Sequence, residues 1–369
     1  MPLDFDKLLP DFSAHLTLEG VRISDGAAAD ALASFASSQF LLLAGPSGTG
    51  KSSLARALAT FFSEQIAVVD AEPSLLRPQD LAGYASALSG TPEYVGTPAT
   101  EQILKLRETA HADSPPVLLV EEANLSPVEG YLAPLTHGLS GLSAERIVWP
   151  MHSSGTSLPL RGDQTGSSIP GEIPMSPFPR LLATINVDAS APAPANKVSA
   201  RATVLLLEPP PLDEVVNLEF PVQKAAVVTA PPGRGTVGDP RDALLTRVAN
   251  DEDQPLREEL KHLGEIVLEN RRRLSPRMAQ RALMYQAAYE AIAVSASGAL
   301  GTKRARHGAE NALLHLLLPV LSPTEFTLVA HRLREAADEN GLVNQRLHDL
   351  NLDSDDWQQA PDDFWSGLS

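Results

Sequence analysis

"FLLLAGPSGTGKSSLARALATFF", residues Phe40–Phe62, decides the fold. "FLLLAG" is a compact apolar run of strand length, and "KSSLARALATFF" repeats Leu and Ala at helical spacing. Between them, "GPSGTGKS" (Gly45–Ser52) meets the pattern G-x-x-x-x-G-K-[ST] at every fixed position. The same letters can arise as a Gly/Ser-rich turn before an ordinary helix. A strand on one side and a helix on the other is the context that identifies a phosphate loop. Its glycines let backbone N–H groups curl around an anion, and the N-terminal dipole of the helix adds positive potential. The predicted nucleotide-binding residues are Gly45, Pro46, Ser47, Gly48, Thr49, Gly50, Lys51, Ser52 and Ser53. Lys51 is placed on the β and γ phosphates and the Ser52 hydroxyl on Mg²⁺.

Some seventy residues on stands "VLLVEEANLS" (Val117–Ser126), four apolar residues running into two glutamates. Carboxylates at the end of a buried strand are costly without a positive partner. Read with the phosphate loop, they divide the work: Glu121 on the metal side, Glu122 polarising water. As a bare pair they also fit a helix-start acid pair. A third core strand, "RLLATINVDAS", puts Asn186 at its end, where it either holds the attacking water or makes an ordinary strand-to-turn Asn.

Outward from these motifs, strands alternate with helices: "IAVVDAEP" and "ATVLLLEPPP" are further strands, and "TEQILKLRETAHA" and "VEGYLAPLTHGLSGL" are helical. This predicts an α/β fold with a largely parallel central sheet covered by helices on both faces. The predicted organisation is an α/β nucleotide-binding domain over 1–208, a linker or irregular insertion over 209–240, a helical lid over 241–345 and an acidic tail over 346–369. Within the first domain, 145–179 reads as a hairpin with loops.

Composition narrows the setting. The chain has 369 residues, a formal net charge of −17 and no cysteine. Disulfides and thiolate metal sites are thereby excluded. Acidity of that size argues against broad nonspecific nucleic-acid binding, although "NRRRLSPR" and "KRARH" are local basic islands. No apolar run is long enough for a membrane helix, and the first residues do not read as a signal peptide, so a cytoplasmic protein is expected. Histidines are scattered without ligand spacing, which disfavours zinc.

Together these stretches resemble an AAA+ ATPase, and in particular the McrB-like branch near the MoxR group. The resemblance rests on "LLLAGPSGTGKSSLARALA", "VLLVEEANLSPVEGYLAPLTHGLSG", "IPMSPFPRLLATINVDAS" and "ANKVSARATVLLLEPP". It implies an oligomeric ring, a hexamer being one form, that hydrolyses ATP or GTP with Mg²⁺ at subunit interfaces. It further implies a separately encoded effector such as a McrC-like nuclease, in DNA restriction or phage defence, with DNA reached through the complex. A MoxR-like chaperone and a nucleotide-dependent switch with little hydrolysis are the alternatives. By resemblance Glu121 takes the place of the usual Asp, Glu122 that of the catalytic Glu, and Asn186 the sensor position. Arg201 falls where an arginine finger often lies, and Arg277 of "LSPRMAQRAL" matches the second sensor; each also reads as a surface or helix-start charge. Arg146, Arg161 and Arg180 are reserves for the finger.

Overall fold

The computed structural model describes residues 4–88, 90–108, 115–138, 148–163, 166–174, 179–187, 193–208, 240–249, 254–269, 274–295, 303–339, 341–349 and 364–365. The linker at 209–239, nearly all of the acidic tail, Arg146 and the first basic island from 270 to 273 lie outside them.

Two helices come first, α1 (Phe5–Leu18) and α2 (Asp25–Ser37). Then follow β1 (Phe40–Gly45), α3 (Lys51–Phe62), β2 (Ile66–Asp70), α4 (Pro78–Ala82), β3 (Tyr84–Ser86), β4 (Glu93–Val95) and α5 (Pro98–Glu108). The acidic strand β5 (Val117–Glu121) leads into a single 3₁₀ turn at Ala123–Leu125, then α6 (Val128–Tyr131) and α7 (Ala133–Gly138). Short strands β6 (Val148–Pro150), β7 (Leu158–Pro159), β8 (Ser168–Ile169) and β9 (Glu172–Pro174) precede β10 (Arg180–Asn186), α8 (Asn196–Ser199) and β11 (Thr203–Leu206). The C-terminal region is helical: α9 (Pro240–Ala249), α10 (Gln254–Leu268), α11 (Pro276–Ile292), α12 (Arg304–Leu316), α13 (Pro323–Ala336) and α14 (Leu342–Asp349).

Five strands form one parallel sheet in the order β11-β1-β10-β5-β2. β1, β10 and β11 are buried along nearly their whole length, as expected when helices cover both faces. The register aligns the C-terminal ends: Gly45 opposite Asn186, and Asp70 opposite Glu121. The phosphate loop, the acidic pair and Asn186 therefore emerge on one edge of the sheet.

"VEGYLAPLTHGLSGL" is not one helix. It breaks at Leu132, between α6 and α7. Pro134 supplies no N–H for the next helical bond, so the helix cannot run through it. The strands at 148–174 pair antiparallel, β6 with β9 and, nested inside, β7 with β8. This nested hairpin joins the β3–β4 hairpin through a bridge between Tyr94 and Leu160.

The first 39 residues do more than precede β1. Helix α2 packs along α11, and α11 along α12, so the N-terminal helices and the C-terminal helices share one apolar interior. Arg180 sits at the seam of α2 and the sheet. It is buried, its guanidinium donates to the carbonyls of Phe35, Ala36 and Ser38, and it lies 5.7 Å from the Phe35 ring centroid. These are the last carbonyls of α2, which a cation caps. As a reserve finger Arg180 fails, because its charge is spent inside its own subunit.

Candidate nucleotide site

The phosphate loop leaves β1 at Gly45. A Cβ there would lie 2.1 Å from the Leu207 carbonyl oxygen, so only glycine lets β1 and the end of β11 approach this closely. Gly48 and Gly50 both have φ of +84°, a left-handed conformation that glycine adopts without steric cost. No atom lies within 4 Å of where their Cβ would sit, which leaves an open cradle on that side of the loop. Lys51 starts α3 and is only 6% exposed. Its Nζ donates to the Pro46 carbonyl at 2.5 Å, and Thr49 Oγ1 donates to the same oxygen at 3.0 Å. A buried ammonium folded over its own loop, beside a helix N-terminus, is arranged for an anion. Ser52 is half-buried on the first turn of α3, and Ser53 is exposed.

Glu121 ends β5 with its carboxylate largely covered. Its Oε1 accepts from Arg56 Nε at 2.7 Å. That hydrogen bond, with the charge behind it, raises the Arg56 pKa above its ordinary value. Arg56 thus answers the burial cost of the first glutamate. Glu122 follows with φ of +51°. For a residue with a Cβ this costs about 1–2 kcal/mol, and it turns the chain off the strand line, leaving the Glu122 side chain exposed. Its N–H donates to Thr184 Oγ1 on β10 at 3.1 Å, which ties the strained turn to the next strand.

Asn124 and Asn186 form a second tie. The Asn124 amide donates to the Asn186 carbonyl at 2.7 Å and accepts from the Asn186 N–H at 3.2 Å. The buried Asn124 side chain therefore continues the β5–β10 ladder past the end of β5. It holds Asn186 beside Gly45, its register partner. Phosphate loop, Glu121, Glu122 and Asn186 meet at one sheet edge. Their donor set is oxygen and one buried ammonium, which suits Mg²⁺ with phosphate oxygens. Among the described residues no group of three or more His, Asp or Glu forms an all-protein metal cage.

The two arginines taken by resemblance lie elsewhere. Arg201 follows α8 and precedes β11, and its Nη1 donates to the Lys197 carbonyl at 2.5 Å. Arg277 opens α11 one turn before Arg281. Arg281 donates to the Ala200 carbonyl at 2.8 Å and to Thr203 Oγ1 at 3.4 Å. Thr203 starts β11, so this corner faces the N-terminal end of the parallel strands, opposite the phosphate loop. Arg277 therefore stands with Arg281 and Arg241. Burial, together with the charges of Arg277 and Arg241, pushes Arg281 down to about 10.

Of the other sequence features, Arg161 is ion-paired with Glu93 across the joined hairpins. The charges of the basic island at 303–307 are ion-paired within the chain: Lys303 with Asp338, Arg304 with Glu290, and Arg306 with Glu259 and Glu310. Arg56, Thr184 and the tie made by Asn124 escaped the sequence reading. Arg56 had one signal, its position four residues after Ser52 on the same helix face.

The strand order, the phosphate loop on β1 and the acidic strand two places away give the α/β architecture of an AAA+-type fold, followed by a helical C-terminal region. Residues 41–126 match the model of the "ATPase family associated with various cellular activities (AAA)". The matched segment runs from β1 through the phosphate loop and β5 to Ser126. No curated protein gives a significant match. Among solved structures, similarity extends to a Cytophaga hutchinsonii ATCC 33406 protein taken to be an ATPase. It is 15% identical, with a TM-score of 0.41 over 85% of this chain and 87% of that one. Nothing about the site follows from a likeness that distant.

Proposed function

We propose that this chain binds and hydrolyses ATP with Mg²⁺ at the sheet edge described above. The observation that carries the reading is the convergence of a buried Lys51, Glu121, Glu122 and Asn186 at the C-terminal ends of adjacent parallel strands. Lys51 exchanges the Pro46 carbonyl for phosphate oxygens. The Ser52 hydroxyl and the Glu121 carboxylate would hold Mg²⁺, which supplies charge neutralisation between the phosphates. Glu122, on its exposed left-handed turn, orients the attacking water and accepts its proton. Asn186, pinned by Asn124, is the polar group that positions this water against the γ-phosphate. ATP is preferred to GTP because the matched family is one of ATPases.

The wider role follows the McrB-like resemblance. Subunits assemble into a ring, Arg201 serves as the finger toward a neighbour's nucleotide, and the ring drives a separately encoded effector, a nuclease acting on DNA. The "EEANLS" sequence and the nested hairpin ahead of β10 support this branch. A second reading, a nucleotide switch that scarcely hydrolyses, draws on the Glu at position 121 and its ion pair with Arg56. Phosphate release by the purified protein, with and without DNA, decides between them. Glu122→Gln is expected to bind a fluorescent ATP analogue as wild type does and to lose turnover by 10²-fold or more. Lys51→Ala serves as the non-binding reference. Unchanged turnover in Glu122→Gln would remove Glu122 from the mechanism.

A further inference from the structure

We infer that Arg56 is a positioning residue for the divalent metal: it holds the Glu121 carboxylate against the face of α3 that carries Ser52. This rests on the nucleotide reading above and adds to it a residue that neither the phosphate-loop pattern nor the acidic strand contains.

The geometry runs through three residues. Ser52 and Arg56 are four apart on α3, so their side chains lie on one stripe of the helix, one turn from each other. Arg56 Nε meets Glu121 Oε1 at 2.7 Å, a bridge from α3 to the end of β5. One carboxylate oxygen is thereby occupied, and on this inference Oε2 is the oxygen that would meet a cation held with the Ser52 hydroxyl. A shorter aspartate at 121 would stop one methylene short of this bond. The glutamate at a position where an aspartate is usual is thus matched to its arginine partner.

Electrostatics point the same way. Asp70 ends β2 directly opposite Glu121, and its charge also acts on Arg56. Two neighbouring strand-end carboxylates repel each other and are free to rotate unless a cation fixes one of them. Arg56 is 59% exposed. A pair this open contributes little to stability, about 0–1 kcal/mol, so its effect lies in orientation. Metal-binding carboxylates are commonly held by such an outer partner, and losing the partner costs about 10–100-fold in metal affinity.

The test separates metal from nucleotide. A fluorescent ATP analogue is titrated into wild type, Arg56→Gln and Arg56→Lys, first in EDTA and then with increasing Mg²⁺. Arg56→Gln is expected to bind in EDTA within about twofold of wild type and to need about tenfold more Mg²⁺ for half-maximal tightening. Arg56→Lys should recover most of the difference, because a single ammonium still reaches Glu121. The Mg²⁺ concentration for half-maximal turnover should shift in parallel. An unchanged Mg²⁺ requirement in Arg56→Gln overturns the inference, and a lower one shows that Arg56 competes with the metal. Failure of the wild type to bind the analogue at all would instead overturn the nucleotide reading.

Discussion

Asn124 shows how one amide can set the edge of the candidate site. Strand β5 ends at Glu121, yet the proposed mechanism needs Asn186 on the neighbouring strand held still. The Asn124 side chain presents a donor and an acceptor at the spacing of a peptide group, and both are used on the Asn186 backbone. Asn124→Ala would leave the Asn186 N–H and C=O without these partners near the protein interior. The expected cost is about 1–3 kcal/mol, read as a lower midpoint in urea. On the proposed mechanism turnover should fall further than nucleotide binding, since that mechanism assigns binding to the phosphate loop and the placing of water to Asn186. Equal losses in both would mean that Asn124 supports only the fold.

At the scale of elements, the contact to watch is between β1 and the end of β11. Gly45 belongs to the phosphate-loop pattern, but its lack of a side chain also serves packing. The Leu207 carbonyl oxygen occupies the place of a Cβ at 2.1 Å. Backbone cannot swing aside as a side-chain tip can. Gly45→Ala should therefore push the β11 end outward and cost about 1–3 kcal/mol or more through overpacking, measurable by denaturant unfolding. Gly48→Ala meets no neighbour, and its penalty comes from the left-handed φ alone. The same pattern thus holds glycines for two different reasons.

The whole molecule is closed by a polar knot in an apolar interior. Asp30 of α2 is fully buried. It accepts from Tyr285 of α11, from His315 Nε2 of α12 at 2.9 Å and from Arg346 of α14 at 2.8 Å. Burial alone raises the Asp30 pKa, but His315, Arg346 and the hydrogen bonds from His315 and Tyr285 outweigh it, and the group lies below its ordinary 3.8. A depressed carboxylate stabilises the fold above its unfolded pKa, and that stability is lost as pH falls through the folded value. The wild type should therefore lose thermal stability on acidification below about pH 4. Asp30→Asn should lack that component and be destabilised at neutral pH by about 3–5 kcal/mol, because the Arg346 charge stays buried without its partner. A melt of Asp30→Asn equal to wild type would show that the knot contributes nothing to joining the two helical groups.

Local chemistry made much of this legible in advance. The phosphate loop, the acidic strand and the alternation of strands and helices are carried by short spacings, and the parallel sheet followed from them. So did the meeting of Lys51, Glu121, Glu122 and Asn186 at one edge, because parallel strands all end on the same side. Contacts between residues far apart in sequence were beyond that reach. Arg56 and Glu121 are 65 positions apart, and Asp30 and Arg346 are 316 apart. No periodicity connects such pairs. Arg180 and Arg277 looked like available charges for the same reason, since a sequence does not say which side of a sheet a helix end will face. Sequence determined what chemistry the chain carries and along which strands. Tertiary packing decided which charges are spent on the fold and which stay at the site, because burial and pairing are set only when distant segments meet.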